Sequence, residues 1–246
     1  MLTAHARCPL VCSTGTIPTN TNQGVGGNKG GVACSFELGT TRLLFINCHL
    51  AAHLKHVARR NQDYHTIVDH LKGAGMFGRH TVCFWIGDLN YRCVMDNSKA
   101  RKLLRDGKQG ELLETDQLVA QMKVGAVFQG FHEPMAELNF PPTYKYDVHS
   151  DGYDSSKKMR VPAWTDRILY HVQKMPGTCE VTPLHYTSFQ GLRLSDHRPV
   201  TASFVLDIQN GQPDGSEAPT SPPRSTPLAN PASPISFYTK DQDVEA

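Results

Sequence analysis

The chain has no apolar run approaching the roughly 20 residues that a membrane-spanning helix requires, so none of its 246 residues reads as a transmembrane segment. Its N-terminus lacks the apolar core of a secretory signal; Met1 to Cys12 reads instead as a strand with its start removed. No Cys-x-x-Cys pair occurs among the seven cysteines at 8, 12, 34, 48, 83, 93 and 179, which leaves no spacing for a cysteine-ligated zinc. Their number is odd, and Cys34, Cys48 and Cys83 lie inside apolar runs, where cysteine behaves as a small buried hydrophobe. That excludes a disulfide scaffold and points to a reducing, cytoplasmic compartment. His49 and His53 have zinc-helix spacing, but the glutamate of His-Glu-x-x-His is absent, so that chemistry is excluded too. The glycine-rich loop at 26–31 is not a Walker loop, because its spacing differs and a strand follows it. No internal repeat is present.

What remains is ordinary for a soluble globular protein: 39% hydrophobic, 20% charged residues. The pattern predicts one domain over 1–208 and a tail over 209–246, rich in proline and serine, that cannot offset its ordering entropy and is expected to be disordered. Ser221, Thr226 and Ser233 each precede proline, as in a proline-directed phosphorylation site or a plain linker. From Asp207 onward six acids face two bases, a net −4, so the total of +2 leaves +6 on the preceding part. Such a basic domain suits anionic partners: phosphates, nucleic acid or an anionic membrane face.

Apolar alternation predicts a hairpin from Val32–Leu38 and Arg42–Cys48 around a Gly39-Thr40-Thr41 connection. A helix follows over 51–71, with Leu54, Val57, Ile67, Val68 and Leu71 on one face and Arg59, Arg60 and Asp63 toward water. Thr81–Ile86 reads as a buried strand stopped by Gly87. Asn97 or Ser98 is expected to cap a short helix through Leu104 that Gly107 ends, and a further helix is expected over 111–122. Strands are expected over 167–171 and 200–206. The whole reads as a layered sandwich of sheets and helices.

Four polar clusters sit at the ends of these strands. In Gly87-Asp88-Leu89-Asn90, Asp88 and Asn90 project to one side. There a carboxylate can deprotonate water and an amide can hold a phosphoryl oxygen; an Asx turn closing a strand is the plainer alternative. Ser195-Asp196-His197-Arg198-Pro199 opens the last strand. His197 as an imidazolium can stabilise charge on a phosphate, Asp166 of Trp164-Thr165-Asp166-Arg167 is the candidate to orient it, and Asp196 can help hold a cation; a surface turn is the alternative. His49 closes Asn47-Cys48-His49. Tyr144-Lys145-Tyr146 and Lys157-Lys158-Met159-Arg160 put fixed cations beside aromatics, as a polyanion site or a solvated loop would.

Together these segments closely resemble the inositol polyphosphate 5-phosphatases, a branch of the endonuclease/exonuclease/phosphatase superfamily. Seven stretches carry the resemblance between 26 and about 206: Gly27–Gly31, Asn47–His53, Arg59–Tyr64, Trp85–Arg92, Pro142–Asp147, Arg160–Leu169 and Ser195–Val200. It implies a deoxyribonuclease-like α/β (α+β) fold, a four-layer sandwich of two mainly antiparallel sheets flanked by helices. It also implies a magnesium-dependent hydrolysis of the 5-phosphate of phosphatidylinositol 4,5-bisphosphate and related inositol polyphosphates. Catalytic roles fall to His49, Asp88, Asn90, Asp166 and His197. Tyr144, Lys145, Lys158 and Arg160 are implied to bind the neighbouring 4-phosphate, Asn28 and Lys29 to face the 1-phosphate, Arg92 to line the pocket, and Asp196 to support the metal. The implied partners are a phosphoinositide headgroup or soluble inositol polyphosphate and the cytosolic face of an anionic membrane, without nucleic acid.

The resemblance also implies a magnesium-ligating glutamate on a strand before the Gly-Asn-Lys-Gly loop, and the 27 residues before Asn28 contain neither Asp nor Glu. An N-terminally truncated domain with crippled magnesium binding, a catalytically inactive fragment, is therefore the alternative expectation; a nuclease of the same superfamily is the other.

Overall fold

Two central strands that are apolar on both faces fix the architecture. A computed structural model of the chain describes residues 13–18, 29–38, 41–78, 81–134, 138–173 and 179–207. Asn28, the segment before Ser13 and the expected disordered tail lie outside the described residues. The strands are β1 (Ser13–Pro18), β2 (Gly30–Leu38), β3 (Thr41–His49), β4 (Val82–Asp88), β5 (Asp166–Val172), β6 (Glu180–Ser188) and β7 (Val200–Asp207). The helices are α1 (Val57–Gly73), α2 (Asn97–Arg105), α3 (Gln109–Leu113) and α4 (Gln117–Lys123).

The strands β1 to β5 form one mixed sheet in chain order, antiparallel except for the parallel β3–β4 pair. That parallel pair requires a crossover, which α1 supplies. Helix α1 lays Ile67, Val68 and Leu71 on one face of the sheet against Leu44, Ile46 and Trp85. It comes so close to β2 that a Cβ on Gly31 would sit 3.1 Å from Ile67 Cδ1. On the opposite face Leu43, Val82 and Phe84 meet Val181, Phe204 and Leu206 of the antiparallel β6–β7 pair, with the Phe84 and Phe204 rings 4.9 Å apart. A third core joins Ala100, Leu103 and Leu112 of α2 and α3 to Phe140, Trp164 and Tyr186. Two mainly antiparallel sheets flanked by helices are the expected architecture; the five-stranded one is mixed through its single parallel pair. No described helix is long and apolar enough to cross a membrane.

Five local expectations need correction. Helix α1 begins at Val57 rather than Ala51, and Arg60 and Asp63 are buried rather than facing water. The reason is that the 51–54 backbone is left without helical partners and takes these two side chains instead: Ala51 N–H donates to Asp63 (2.9 Å), and Arg60 donates to Ala51 O (3.1 Å) and His53 O (2.7 Å). The expected helix over 111–122 is two helices, because Asp116 leaves the helical region to cap α4 through Val119 N–H. Asp96, not Asn97 or Ser98, caps α2 by accepting from Lys99 N–H. Cys34 is only half-buried. Strand β6 is an addition to the expected elements.

Candidate active site

The pairing register places the expected residues in one row. Gly30 of β2 faces His49 of β3, His49 faces Asp88 of β4, and Asp88 faces Asp166 of β5. Side chains at paired positions of adjacent strands emerge together, so a single sheet edge gathers an imidazole and two carboxylates. Gly87 permits this edge. Its φ is +125°, and a Cβ there would lie 2.1 Å from Cys48 O; only glycine tolerates both.

Asp88 is held from three directions. His49 Nε2 is 3.2 Å from its Oδ2, Asn90 Nδ2 donates to the same oxygen at 3.1 Å, and Asn90 N–H donates to Oδ1 at 3.0 Å. Asn90 is buried in the left-handed region (φ 57°), where asparagine is among the few tolerated side chains. Its Nδ2 also donates to Leu50 O at 3.0 Å, and its Oδ1 accepts from Arg92. Asp166 Oδ2 accepts from His197 Nδ1 at 2.8 Å, Thr165 Oγ1 at 3.0 Å and Thr143 Oγ1 at 3.2 Å. Burial alone would pull the His197 pKa down. The hydrogen bond to Asp166, with the charges of Asp166, Asp88 and Asp196, outweighs that and holds it above the ordinary 6.5.

Beside this row lies a cavity of about 310 Å³ lined by Arg92, Tyr144, Lys158 and Arg160 together with Ala52, His53 and Leu54. The Arg92 guanidinium stacks 4.2 Å over the Tyr144 ring, and Tyr144 in turn packs 4.6 Å from the His197 ring, so the cavity and the acid–imidazole row share a wall. The basic loop is anchored. Asp154, fully buried, accepts from Ser156 N–H and Arg160 N–H, and Asn97 Nδ2 donates to Met159 O and Arg160 O. Lys145 is not among the lining residues; its Nζ donates to Asp196 at 2.9 Å. Burial would raise the Asp196 pKa, but the Lys145 and His197 cations keep it below the usual carboxylate range. Lys29 precedes Gly30, at the end of the paired row.

The ligand atoms of Asp88, Asp166 and His197 lie within 4.8 Å of one another; with His197 protonated, the carboxylates are the members of this group able to hold a cation. Asp196 is not in it. A carboxylate oxygen offers two lone pairs. Oδ1 of Asp88 uses one, on Asn90 N–H, and Oδ1 of Asp166 takes part in none of the bonds above. Two hard oxygens therefore remain, which fits a divalent cation that takes one or two protein carboxylates and completes its shell with water and phosphate. Sequence alone does not single out Thr143 and Thr165, which load Asp166 with hydrogen bonds; the available signal is their place beside Tyr144 and Asp166 in Pro142–Asp147 and Arg160–Leu169. Nor does it single out His53 as part of the cavity wall.

Residues 10–203 match the model of the endonuclease/exonuclease/phosphatase family 2. The chain is 41% identical over 192 residues to the Type II inositol 1,4,5-trisphosphate 5-phosphatase of Mus musculus, covering 74% of this chain and 18% of that protein. It is 42% identical over 197 residues to inositol-1,4,5-trisphosphate 5-phosphatase 1 of Schizosaccharomyces pombe, covering 79% of this chain and 17% of that protein. Among solved structures it is similar to the inositol polyphosphate 5-phosphatase domain of a synaptojanin in complex with inositol (1,4)-bisphosphate and calcium ion. The TM-score is 0.70 at 37% identity, covering 80% of this chain and 56% of that one. The chain thus spans under a fifth of the length of these curated relatives and little more than half of the solved domain. On the family match and these identities, the chain belongs to the endonuclease/exonuclease/phosphatase family, in its inositol polyphosphate 5-phosphatase branch.

Proposed function

We propose that this site hydrolyses the 5-phosphate of inositol polyphosphates and of phosphatidylinositol 4,5-bisphosphate. The observation that carries the reading is the adjacency of a His49–Asp88–Asp166–His197 cluster to a cavity lined by Arg92, Tyr144, Lys158 and Arg160. Cations on one side of a hydrolytic cluster suit a substrate with phosphates on neighbouring ring positions. A nuclease would instead need basic residues spread along a backbone-tracking groove.

In this reading Asp88 accepts the proton of the attacking water. Asn90 holds the Asp88 carboxylate in place through two hydrogen bonds, and His49 caps its second oxygen. His197, kept cationic by Asp166, stabilises the charge that gathers on the phosphoryl oxygens. The open Asp166 Oδ1 would hold magnesium, which when bound would neutralise developing charge on the ester, and the one open lone pair of Asp88 Oδ1 is left for the water's proton. Tyr144, Lys158 and Arg160 grip the neighbouring 4-phosphate, Lys145 acts through Asp196, and Lys29, next to the end of the paired row, is left for the 1-phosphate. Work on a lipid headgroup places the protein in the cytoplasm, at the surface of anionic membranes.

The test is magnesium-dependent phosphate release from a water-soluble short-chain phosphatidylinositol 4,5-bisphosphate, with the product's remaining phosphates located by phosphorus NMR. Loss of the 5-phosphate, reduced about 100-fold or more in Asp88→Asn, is expected. Release from the 4-position, or an Asp88→Asn variant as active as the unaltered chain, would overturn the reading.

A further inference from the structure

Two buried polar side chains of this molecule have no part in the acid–imidazole row and do not line the cavity, yet both bind its wall. Arg60 is fully buried on α1, and Gln117 is buried at the start of α4. Burying a guanidinium and an amide is costly unless hydrogen bonds compensate it; Arg60 Nε has no hydrogen-bond partner among the described residues, so the bonds of its two terminal nitrogens and of Gln117 identify their use. Arg60 Nη1 donates to Ala51 O (3.1 Å) and His53 O (2.7 Å), and its Nη2 donates to Gln117 Oε1. Gln117 Nε2 donates to Leu54 O at 2.9 Å, and the same Oε1 accepts from Arg92 N–H at 3.0 Å. The Gln117 backbone N–H closes the joint on Arg92 O at 2.9 Å. Every backbone group named here belongs to a residue that lines the cavity or adjoins one: Ala51 leads into the wall residues Ala52, His53 and Leu54, and Arg92 faces them.

The wall does not hold this shape by itself. His53 sits at φ 76°, a conformation that side chains bearing a Cβ seldom adopt, and the segment has no helix or ladder bonds of its own apart from His56 N–H to His53 O. Helices α1 and α4 are 57 positions apart at the residues that meet. A single fork, three acceptors on one guanidinium, ties both helices to both sides of the cavity, and lysine cannot reproduce that geometry.

We propose that Arg60 and Gln117 are positioning residues that set the width of the phosphate cavity by locking the Ala51–Leu54 wall against Arg92. The inference rests on the reading of that cavity as a phosphate site. Binding energy there depends on the separation of fixed cations, so a loosened wall weakens the grip on the neighbouring phosphate more than it slows the chemistry at Asp88.

The experiment compares the whole chain with Gln117→Leu, Gln117→Glu and Arg60→Lys. Inositol 1,4-bisphosphate binding is measured by calorimetry, with inositol 1-phosphate as the probe lacking the 4-phosphate, and amide exchange is measured at His56. In Gln117→Leu and Arg60→Lys, bisphosphate affinity should fall about tenfold and His56 exchange should accelerate, while inositol 1-phosphate binding is unchanged. Gln117→Glu keeps the acceptor for Arg60 and Arg92 but loses the donor to Leu54 O, so its affinity should fall between those of Gln117→Leu and the unaltered chain, an order a merely destabilised fold would not give. In turnover, KM should rise with kcat nearly kept. Unchanged bisphosphate binding or unchanged exchange at His56 in the folded variants would overturn the inference alone. Failure of the unaltered chain to bind inositol 1,4-bisphosphate would overturn the cavity reading, and the inference with it.

Discussion

His197 and Asp166, 31 residues apart in the chain, meet through a 2.8 Å hydrogen bond between Nδ1 and Oδ2. This pairing fixes which ring nitrogen carries the proton toward the carboxylate and leaves Nε2 for other work. Two threonine hydroxyls crowd onto the same carboxylate oxygen, so Asp166 is held as firmly as it holds its partner.

The first prediction concerns pH. Burial disfavours the His197 cation, yet the Asp166 bond raises its pKa above 6.5 overall. A raised folded pKa means that the pair's stabilisation is complete below the unfolded value of about 6.5 and fades as pH climbs through the folded value. Asp166→Asn should therefore lower Tm most on the acid side of neutrality, with the difference shrinking toward alkaline pH. The His197 NMR titration should move to lower pH in the variant, and so should the alkaline limb of phosphate release. A His197 titration that ignores the substitution would contradict this account.

Gly87 supports a second prediction. A methyl group at Gly87 would meet Cys48 O at 2.1 Å and Asn47 Oδ1 at 2.6 Å, at a backbone angle closed to alanine. Neither neighbour is the free end of a flexible chain: one is strand backbone, the other a short amide beside it. Gly87→Ala should cost about 3 kcal/mol or more, read as a lower urea midpoint at unchanged slope. Gly110→Ala, where nothing lies within 4 Å of the added carbon, should differ little from the unaltered chain.

Asn90 carries two separable roles, and two substitutions divide them. Its left-handed backbone is tolerable for asparagine and costly for alanine, while its side-chain amide gives Asp88 Oδ2 a bond that neither replacement can supply. Asn90→Gly should be more stable than Asn90→Ala by about 1 kcal/mol. Both should lose phosphate release to a similar depth, because both lack the amide. Equal stability of the two, measured by urea unfolding, would count against backbone strain at this position.

Much of this arrangement was legible because the strands that carry it are apolar: the runs ending at Cys48 and Ile86 announce β3 and β4, and the polar residue after each run is the site residue. Strand β6 was not legible. Its buried positions are few, Pro183 interrupts it, and Leu184 points to solvent, so neither alternation nor continuous burial marks it. Ala51 to Leu54 reads as a helix start because apolar residues at those positions match helical spacing; tertiary bonds from Asp63, Arg60 and Gln117 override that local preference. Arg60 and Asp63 read as water-facing for the same reason, since a pattern of polarity cannot distinguish a solvated face from one that bonds a neighbouring loop. The Lys145–Asp196 pair depends on contacts between residues 51 positions apart, which no local pattern encodes.

Arg92 joins the hydrolytic row to the cavity, and its replacement by lysine should separate charge from shape. The guanidinium donates to Asn90 O at 3.1 Å and to Asn90 Oδ1, while its face lies 4.2 Å over the Tyr144 ring. An ammonium keeps the positive charge but cannot lie flat on the ring while donating in two directions. If charge alone mattered, Arg92→Lys would bind inositol phosphates as the unaltered chain does. The stacked, forked geometry predicts instead a KM raised about tenfold, together with a several-fold lower kcat, because Asn90 loses the bond that steadies its amide against Asp88. Tyr144→Phe keeps the ring face and should leave KM nearly unaltered if that face is its contribution, whereas Tyr144→Leu removes the face and should approach the Arg92→Lys value. Steady-state kinetics on the short-chain lipid decide between them, and a Tyr144→Leu variant with unchanged KM would show that the ring's face contributes nothing to Arg92.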